Sequence, residues 1–223
     1  MRPVSEHLLE QIDGYIEHLF VPPDAVLAQN LKDSAAAGLP EIAVSPVQGR
    51  FLYILAKITG AKRILEIGTL GGYSTTVLAR AVPESGKVVT LEFSPLHASV
   101  ARKNLELAGL GSRVEIRVGP GAETLDKMIQ AGEESFDFVF IDADKQSYAG
   151  YLEQVLRLSH SGTVIVGDNL IRGGGVLEDV PPDELVAGVK KFNSLVASHP
   201  RLESILLTTY KEKVDGMSVS RVK

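Results

Sequence analysis

Lys62-Arg63-Ile64-Leu65-Glu66-Ile67, then Gly68-Thr69-Leu70-Gly71-Gly72, then Tyr73-Ser74 is the stretch on which the fold turns. A short run with β-branched Ile64 and Ile67 reads as a buried strand, the glycines as a tight turn, and the apolar spacing of Tyr73 to Val82 as a helix. The same order repeats outward along the chain. Lys87 to Glu92, Val114 to Val118, Phe136 to Ile141 and Thr163 to Val166 read as further strands. Helical spacing fills the intervals around Leu125 to Ile129 and Tyr148 to Leu156, and recurs at Leu185 to Val196. Ser94-Pro95 supplies a cap and a first helical residue, Leu96, Val100 and Leu107 are expected on that helix's inner side, and Gly109 stands where the helix should stop.

Strand-helix alternation forces parallel pairing with helices on both faces of the sheet. The expectation is a doubly wound, Rossmann-like α/β fold. Ser204 to Thr209 and Met217 to Val222, separated by a charged stretch containing Asp215-Gly216, read as a closing antiparallel hairpin, which makes seven strands in all. At the front, Leu8, Leu9, Ile12, Ile16, Leu19 and Phe20 repeat at helical spacing until Pro22-Pro23. A second helix is expected from Pro46 to Ile58, behind the loop Leu39 to Ser45. Residues 1–60 are read as capping helices and 61–223 as the core of a single domain spanning 1–223. Gly173 to Gly175 are read as a mobile loop.

Composition narrows the class. The chain has 223 residues, a formal charge of −5, 44% hydrophobic residues and no cysteine. That balance argues against a surface built to track a phosphate backbone, and zero cysteines remove disulfides, thiolate zinc sites and cysteine nucleophiles. Glu6, Glu10, Asp13 and Glu17 interrupt any export segment, and no later run is long and apolar enough to span a membrane. The chain reads as a soluble, cytoplasmic protein.

In open α/β sheets, ligands bind beyond the carboxyl ends of the strands, so the strand ends carry the chemistry. The first strand ends in Glu66-Ile67-Gly68-Thr69-Leu70-Gly71-Gly72, which lacks the G-x-G-x-x-G spacing that seats a pyrophosphate. A carboxylate there repels phosphate and suits an ammonium, so the ligand is read as cationic and phosphate-free; S-adenosylmethionine fits. Glu92, at the end of the second strand, has the place and type of a carboxylate that accepts from a ribose diol. Ser74 is read as presenting its hydroxyl and backbone N–H to the ligand carboxylate at a helix start. The fourth strand ends in Asp142-Ala143-Asp144-Lys145 and the fifth in Gly167-Asp168-Asn169. Two carboxylates and an amide oxygen from neighbouring strands make an open, all-oxygen set for a hard divalent ion, Mg²⁺ first, with Mn²⁺ or Ca²⁺ as alternatives. Each motif alone also serves as an Asx turn or a helix cap. Asp144 either touches the adenosine or caps the next helix. Lys145, beside a divalent cation, would lose its proton more readily and suits a general base. No histidine is given a role, since all five stand away from these strand ends, and Gly72-Tyr73-Ser74 is not a hydrolase elbow.

Taken together, EIGTLGGYS, the acidic end of strand two, IDADK and GDN resemble the class I S-adenosylmethionine-dependent O-methyltransferases of the catechol and caffeoyl-CoA type. The resemblance covers nearly the whole chain, including Val44-Ser45-Pro46-Val47-Gln48-Gly49-Arg50-Phe51. It implies that Glu66, Gly68, Thr69, Ser74 and Glu92 contact the cofactor, together with the backbone near Gly121-Ala122 and with Asp144. It implies Asp142, Asp168 and Asn169 as metal ligands, Lys145 as catalytic base, and a homodimer. Where plant members follow the Asp-Asn pair with an aromatic residue and an asparagine, this chain has Leu170-Ile171-Arg172-Gly173-Gly174-Gly175, so the acceptor is expected only as a class: a phenolic vicinal diol. Some bacterial relatives modify a hydroxylated tRNA base, which makes tRNA a minor alternative. An NAD-dependent oxidoreductase would share the fold but lacks its phosphate fingerprint here, and a non-catalytic binding module would have no use for Asp142, Asp168, Asn169 and Lys145 together.

Overall fold

The computed structural model describes residues 5–211 and 213–223. Five parallel strands, β1 (Arg63–Ile67), β2 (Lys87–Glu92), β3 (Val114–Val118), β4 (Phe136–Ile141) and β5 (Ser159–Gly167), are joined to an antiparallel pair, β6 (Leu202–Lys211) and β7 (Lys213–Val222). Their order across the sheet is β3-β2-β1-β4-β5-β7-β6. The order reverses between β1 and β4, and a crevice for ligands opens at such a point.

The central strands are apolar on both faces because helices cover both. On one face Leu65, Ile67, Val89, Val139, Ile141 and Ile165 pack against α6 (Gly121–Gln130), α7 (Tyr148–Arg157) and α8 (Glu184–Ser198). On the other, Ile64, Val88, Phe138, Phe140, Val164 and Val166 meet α3 (Pro46–Ile58), α4 (Tyr73–Ala81) and Leu105 of α5 (Pro95–Leu107). The seven-stranded, mostly parallel, doubly wound sheet is the one the alternation implies.

Several details differ from the sequence reading. An unexpected helix, α2 (Ala25–Ala36), follows α1 (Glu6–Phe20); the Asp24 carboxylate caps it by accepting from the N–H groups of Val26 and Leu27. Proline ends α1, and the aspartate after it starts the next helix. α5 turns a different face inward: Leu96 and Leu107 are exposed, while Ala98, Val100, Ala101, Asn104 and Leu105 are buried. Small side chains are needed there because α5 lies against the glycine turn after β1, where Asn104 Nδ2 donates to Gly71 O at 2.8 Å. α1 is also less enclosed than its pattern suggests, with Ile12, Leu19 and Phe20 exposed. Asp215-Gly216 does not make the hairpin turn: both residues lie inside β7, opposite Thr209 and Thr208. Gly173 and Gly174 make a kink with positive φ inside the short-turn segment Arg172–Leu177.

Candidate active site

Pairing in the parallel sheet runs one residue past each strand end, and this gathers the site. Gly68 N–H donates to Leu91 O at 2.9 Å, Asp142 N–H to Ile67 O at 2.9 Å, and Asp168 N–H to Ile141 O at 3.0 Å. Three strand tips are thus held shoulder to shoulder. Gly68 has φ 102°, and a Cβ there would stand 1.9 Å from the carbonyl oxygen of Asp142. Only glycine lets the chain leave β1 directly across the tip of β4.

On the β1–β2 side, Glu66 is wholly buried. Its Oε2 accepts from the hydroxyls of Thr75 and Thr90, the latter at 2.6 Å, and Thr69 Oγ1 lies 2.6 Å from Thr90 Oγ1. Oε1 has no partner. A buried carboxylate oxygen without a donor is costly, and burial pushes the carboxyl up to about 7, against the pull of Ser74, Thr75 and Thr90. An arriving ammonium would supply the missing donor, so the residues present fit the charged amine of S-adenosylmethionine. Glu92 is busier than its strand-end position suggests. Its Oε2 accepts from Thr69 N–H at 3.1 Å and Leu70 N–H at 2.8 Å, and its Oε1 from Ser94 N–H at 2.9 Å. Of about four acceptor sites on a carboxylate, two brace the turn after β1 and one takes the N–H of Ser94, leaving one. His97 Nδ1 stands 3.4 Å from the same Oε1, so one histidine does approach a strand end, contrary to the sequence reading.

Ser74 is buried in the first turn of α4, whose cap, Gly72, offers no side-chain bond to the helix N–H groups. Asp144 does not cap the 3₁₀ turn that follows it. Its Oδ1 accepts from the Tyr151 hydroxyl at 2.6 Å, and Tyr151 in turn lies so close to Gly121 that a Cβ there would meet its oxygen at 2.9 Å. The Tyr151 hydroxyl thus lies against both Asp144 and Gly121. Gln154 Nε2 donates to Ala122 O at 2.9 Å from α7.

On the β4–β5 side, Asp142 and Asp168 stand on adjacent tips. Burial and the charge of Asp142 both raise the Asp168 carboxyl above its ordinary range. Asn169, with φ 59°, donates its N–H to Asp168 Oδ1 at 2.7 Å. Among the described residues no three His, Cys, Asp or Glu side chains cluster for a metal. The available set is two carboxylates and an amide oxygen, and two like charges this close, one of them buried, fit a hard cation shared between them. Lys145 Nζ lies 2.9 Å from Asp142 Oδ1 and donates to the Tyr148 hydroxyl at 2.5 Å. That hydroxyl, fully buried, faces the carbonyls of Ile141 and Asp168 at 3.1 Å each, and burial with the nearby carboxylates keeps its proton on.

Two participants escaped the sequence reading. In the sequence Tyr148 shows only as the start of a helical apolar spacing. Gln48 had been quoted without a role, though Ser45-x-x-Gln48 is a legible capping box: Ser45 Oγ accepts from Gln48 N–H at 3.2 Å and Gln48 Oε1 from Ser45 N–H at 2.8 Å. With its oxygen fixed, the Gln48 amide turns Nε2 toward both Asp168 oxygens, at 3.4 and 3.5 Å.

Comparison with known proteins supplies the family. Residues 21–223 match the family model described as O-methyltransferase. The chain is 42% identical to a catechol O-methyltransferase of Niastella koreensis, over 99% of this chain and 100% of that protein. It is 45% identical to one of Mycobacterium tuberculosis, over 95% of each. Among solved structures it is similar to an O-methyltransferase from Bacillus cereus in complex with SAH, with TM-score 0.94 and 44% identity, covering 98% of this chain and 100% of that one.

Proposed function

This chain belongs to the O-methyltransferase family and is a methyltransferase with S-adenosylmethionine as donor; from that premise we propose that it methylates one hydroxyl of an aromatic vicinal diol with the help of Mg²⁺. The observation that carries the proposal is the placing of Asp142 and Asp168 side by side on adjacent strand tips, with Asn169 next in the chain and Lys145 Nζ 2.9 Å from Asp142. In this reading those three residues hold the divalent ion. When bound, it would lower the pKa of a coordinating phenol, and the donor would supply a methyl group on a sulfonium.

The chain's own residues then divide the work. Glu66 Oε1 receives the donor's ammonium, the remaining acceptor site of Glu92 receives a ribose hydroxyl, and Asp144 with the Gly121-Ala122 backbone borders the base. Lys145 takes the acceptor's hydroxyl proton on Nζ, and Tyr148 keeps Nζ at that place. The phenolate oxygen bonds to the methyl carbon as the carbon–sulfur bond breaks, and the sulfide product leaves with both electrons of that bond. Holding oxygen, carbon and sulfur in line supplies most of the acceleration. A single hydroxyl makes a poor chelate, so vicinal diols are preferred. The proposal includes Mn²⁺ or Ca²⁺ as substitutes for Mg²⁺, a homodimer and a cytoplasmic setting; among the described residues no helix is long and apolar enough to cross a membrane.

The test is a methylation assay over catechols, matched monophenols and tRNA, with and without chelator. Asp142→Ala and Asp168→Ala should abolish turnover while calorimetry still shows binding of the demethylated donor, and Lys145→Ala should lower kcat by about 10²-fold or more. Full activity in excess EDTA, or equal rates on a monophenol, sinks the reading.

A further inference from the structure

The chain bends sharply and repeatedly just after the proposed metal ligands. Asn169, Arg172, Gly173 and Gly174 have φ of 59°, 55°, 63° and 92°, and the left-handed region is unfavourable for an arginine. Such a backbone persists only where its surroundings hold it. Leu170 N–H donates to Gly216 O at 2.9 Å, and Leu170 O accepts from Asn193 Nδ2 of α8 at 2.8 Å. The next two residues are held by one atom. Asp215 Oδ1 accepts from Ile171 N–H at 2.9 Å, from Arg172 N–H at 3.0 Å and from Gly216 N–H at 2.9 Å.

Asp215 is buried within β7, a place strands seldom give to aspartate. Its side chain makes one bond to its own strand and two to the segment after Asn169. Charge-assisted bonds to backbone N–H groups are among the stronger hydrogen bonds. Its second oxygen, Oδ2, has no partner, and neither has the hydroxyl of Thr209, which stands opposite it across the hairpin.

We propose that Asp215 is a positioning residue for the acceptor side of the site: by fixing the bend at Ile171 and Arg172 it aims the Asn169 amide and shapes the floor on which the acceptor lies. The inference rests on the roles proposed for Asp168 and Asn169. It makes the hairpin part of the site, although no residue of β6 or β7 carries out chemistry. Because all three N–H groups meet a single oxygen, an amide oxygen can replace it. Asp215→Asn keeps that acceptor and turns its NH₂ toward Thr209, whereas Asp215→Ala frees the bend.

The test compares wild type, Asp215→Asn and Asp215→Ala by catechol KM and kcat, by Mn²⁺ titration calorimetry, and by affinity for the demethylated donor. Asp215→Ala should raise catechol KM and weaken Mn²⁺ binding by about tenfold, as loss of groups that orient metal ligands does, with donor affinity unchanged; Asp215→Asn should restore both. An alanine variant with unaltered KM and Mn²⁺ affinity, or one that loses donor affinity in the same proportion, overturns the proposal, and so does an asparagine variant as impaired as the alanine one. If Asp215→Ala does not fold, Asn193→Ala, which releases Leu170 from the other side, must show the same split, and its absence has the same force. Wild-type protein that binds no Mn²⁺ would instead overturn the metal reading, leaving the KM comparison to judge Asp215 alone.

Discussion

Glu66 is buried with one carboxylate oxygen satisfied by two threonines and the other without a hydrogen-bond partner. Burial raises its pKa from 4.5 to about 7, so the folded protein binds the proton that the unfolded chain releases above about pH 4.5. This group's contribution to stability therefore falls as pH rises from 4.5 to about 7 and is level beyond that. For the donor the sign is opposite, because an ammonium pairs with the ionised form. Affinity for the demethylated donor should weaken as pH drops below about 7, by up to about tenfold per unit, and Glu66→Gln should bind weakly with a flat profile. Calorimetry across pH checks this, and a flat wild-type profile removes Glu66 from the donor site. At this scale the sequence places Glu66 and Glu92 within the last two residues of β1 and β2, and Asp142 and Asp168 one residue past β4 and β5, which is where the structure has them. The partners that hold them were not legible. Glu92 looked free for a ribose, yet the turn N–H groups it braces come from 22 and 23 residues earlier in the chain.

A reciprocal cap joins two scales in α3. Ser45 and Gln48 satisfy each other's backbone N–H groups, and the spare half of the Gln48 amide reaches Asp168, 120 residues away. Ser45→Ala and Gln48→Ala should each cost about 1 kcal/mol of stability, as lost N-caps do, and the double variant should cost about their sum, because each side chain bonds the other residue's backbone N–H, which alanine keeps. Urea denaturation reads both. A double loss well below the sum would show that the two halves of the cap depend on each other. Elements of this kind are readable where the pattern is local: Ser94-Pro95 opening α5 and Gly109 closing it were both plain. The face α5 buries was not, because its inner surface is set by how near the glycine turn lies. Leu96 and Leu107 point to water there, and Ala98 and Ala101 to the core.

Across the whole molecule, the charge of −5 bears on the choice of acceptor. Turnover of an uncharged catechol should change little between about 0.05 and 0.2 M salt, whereas an RNA acceptor gripped through several phosphates would lose about 10³-fold or more in affinity. A salt titration of kcat/KM separates the two. Alternation of strands and helices made the parallel core legible without revealing its order. A hairpin signal says that β6 and β7 are neighbours. It does not say which of them meets β5, since that depends on which strand's side chains complete the core: Met217 and Val222 of β7 are buried, while Ile205 and Leu207 of β6 face outward.

The strand that fills the slot beside β5 is β7, later in the chain than β6. β6 rests on α1 and α8, both made before it, but it joins the sheet only through β7. Until β7 is in place the flank of β5 stays bare, an edge at which chains can associate. Synthesis order and spatial order run against each other at this edge, so the growing chain matures from its middle outward.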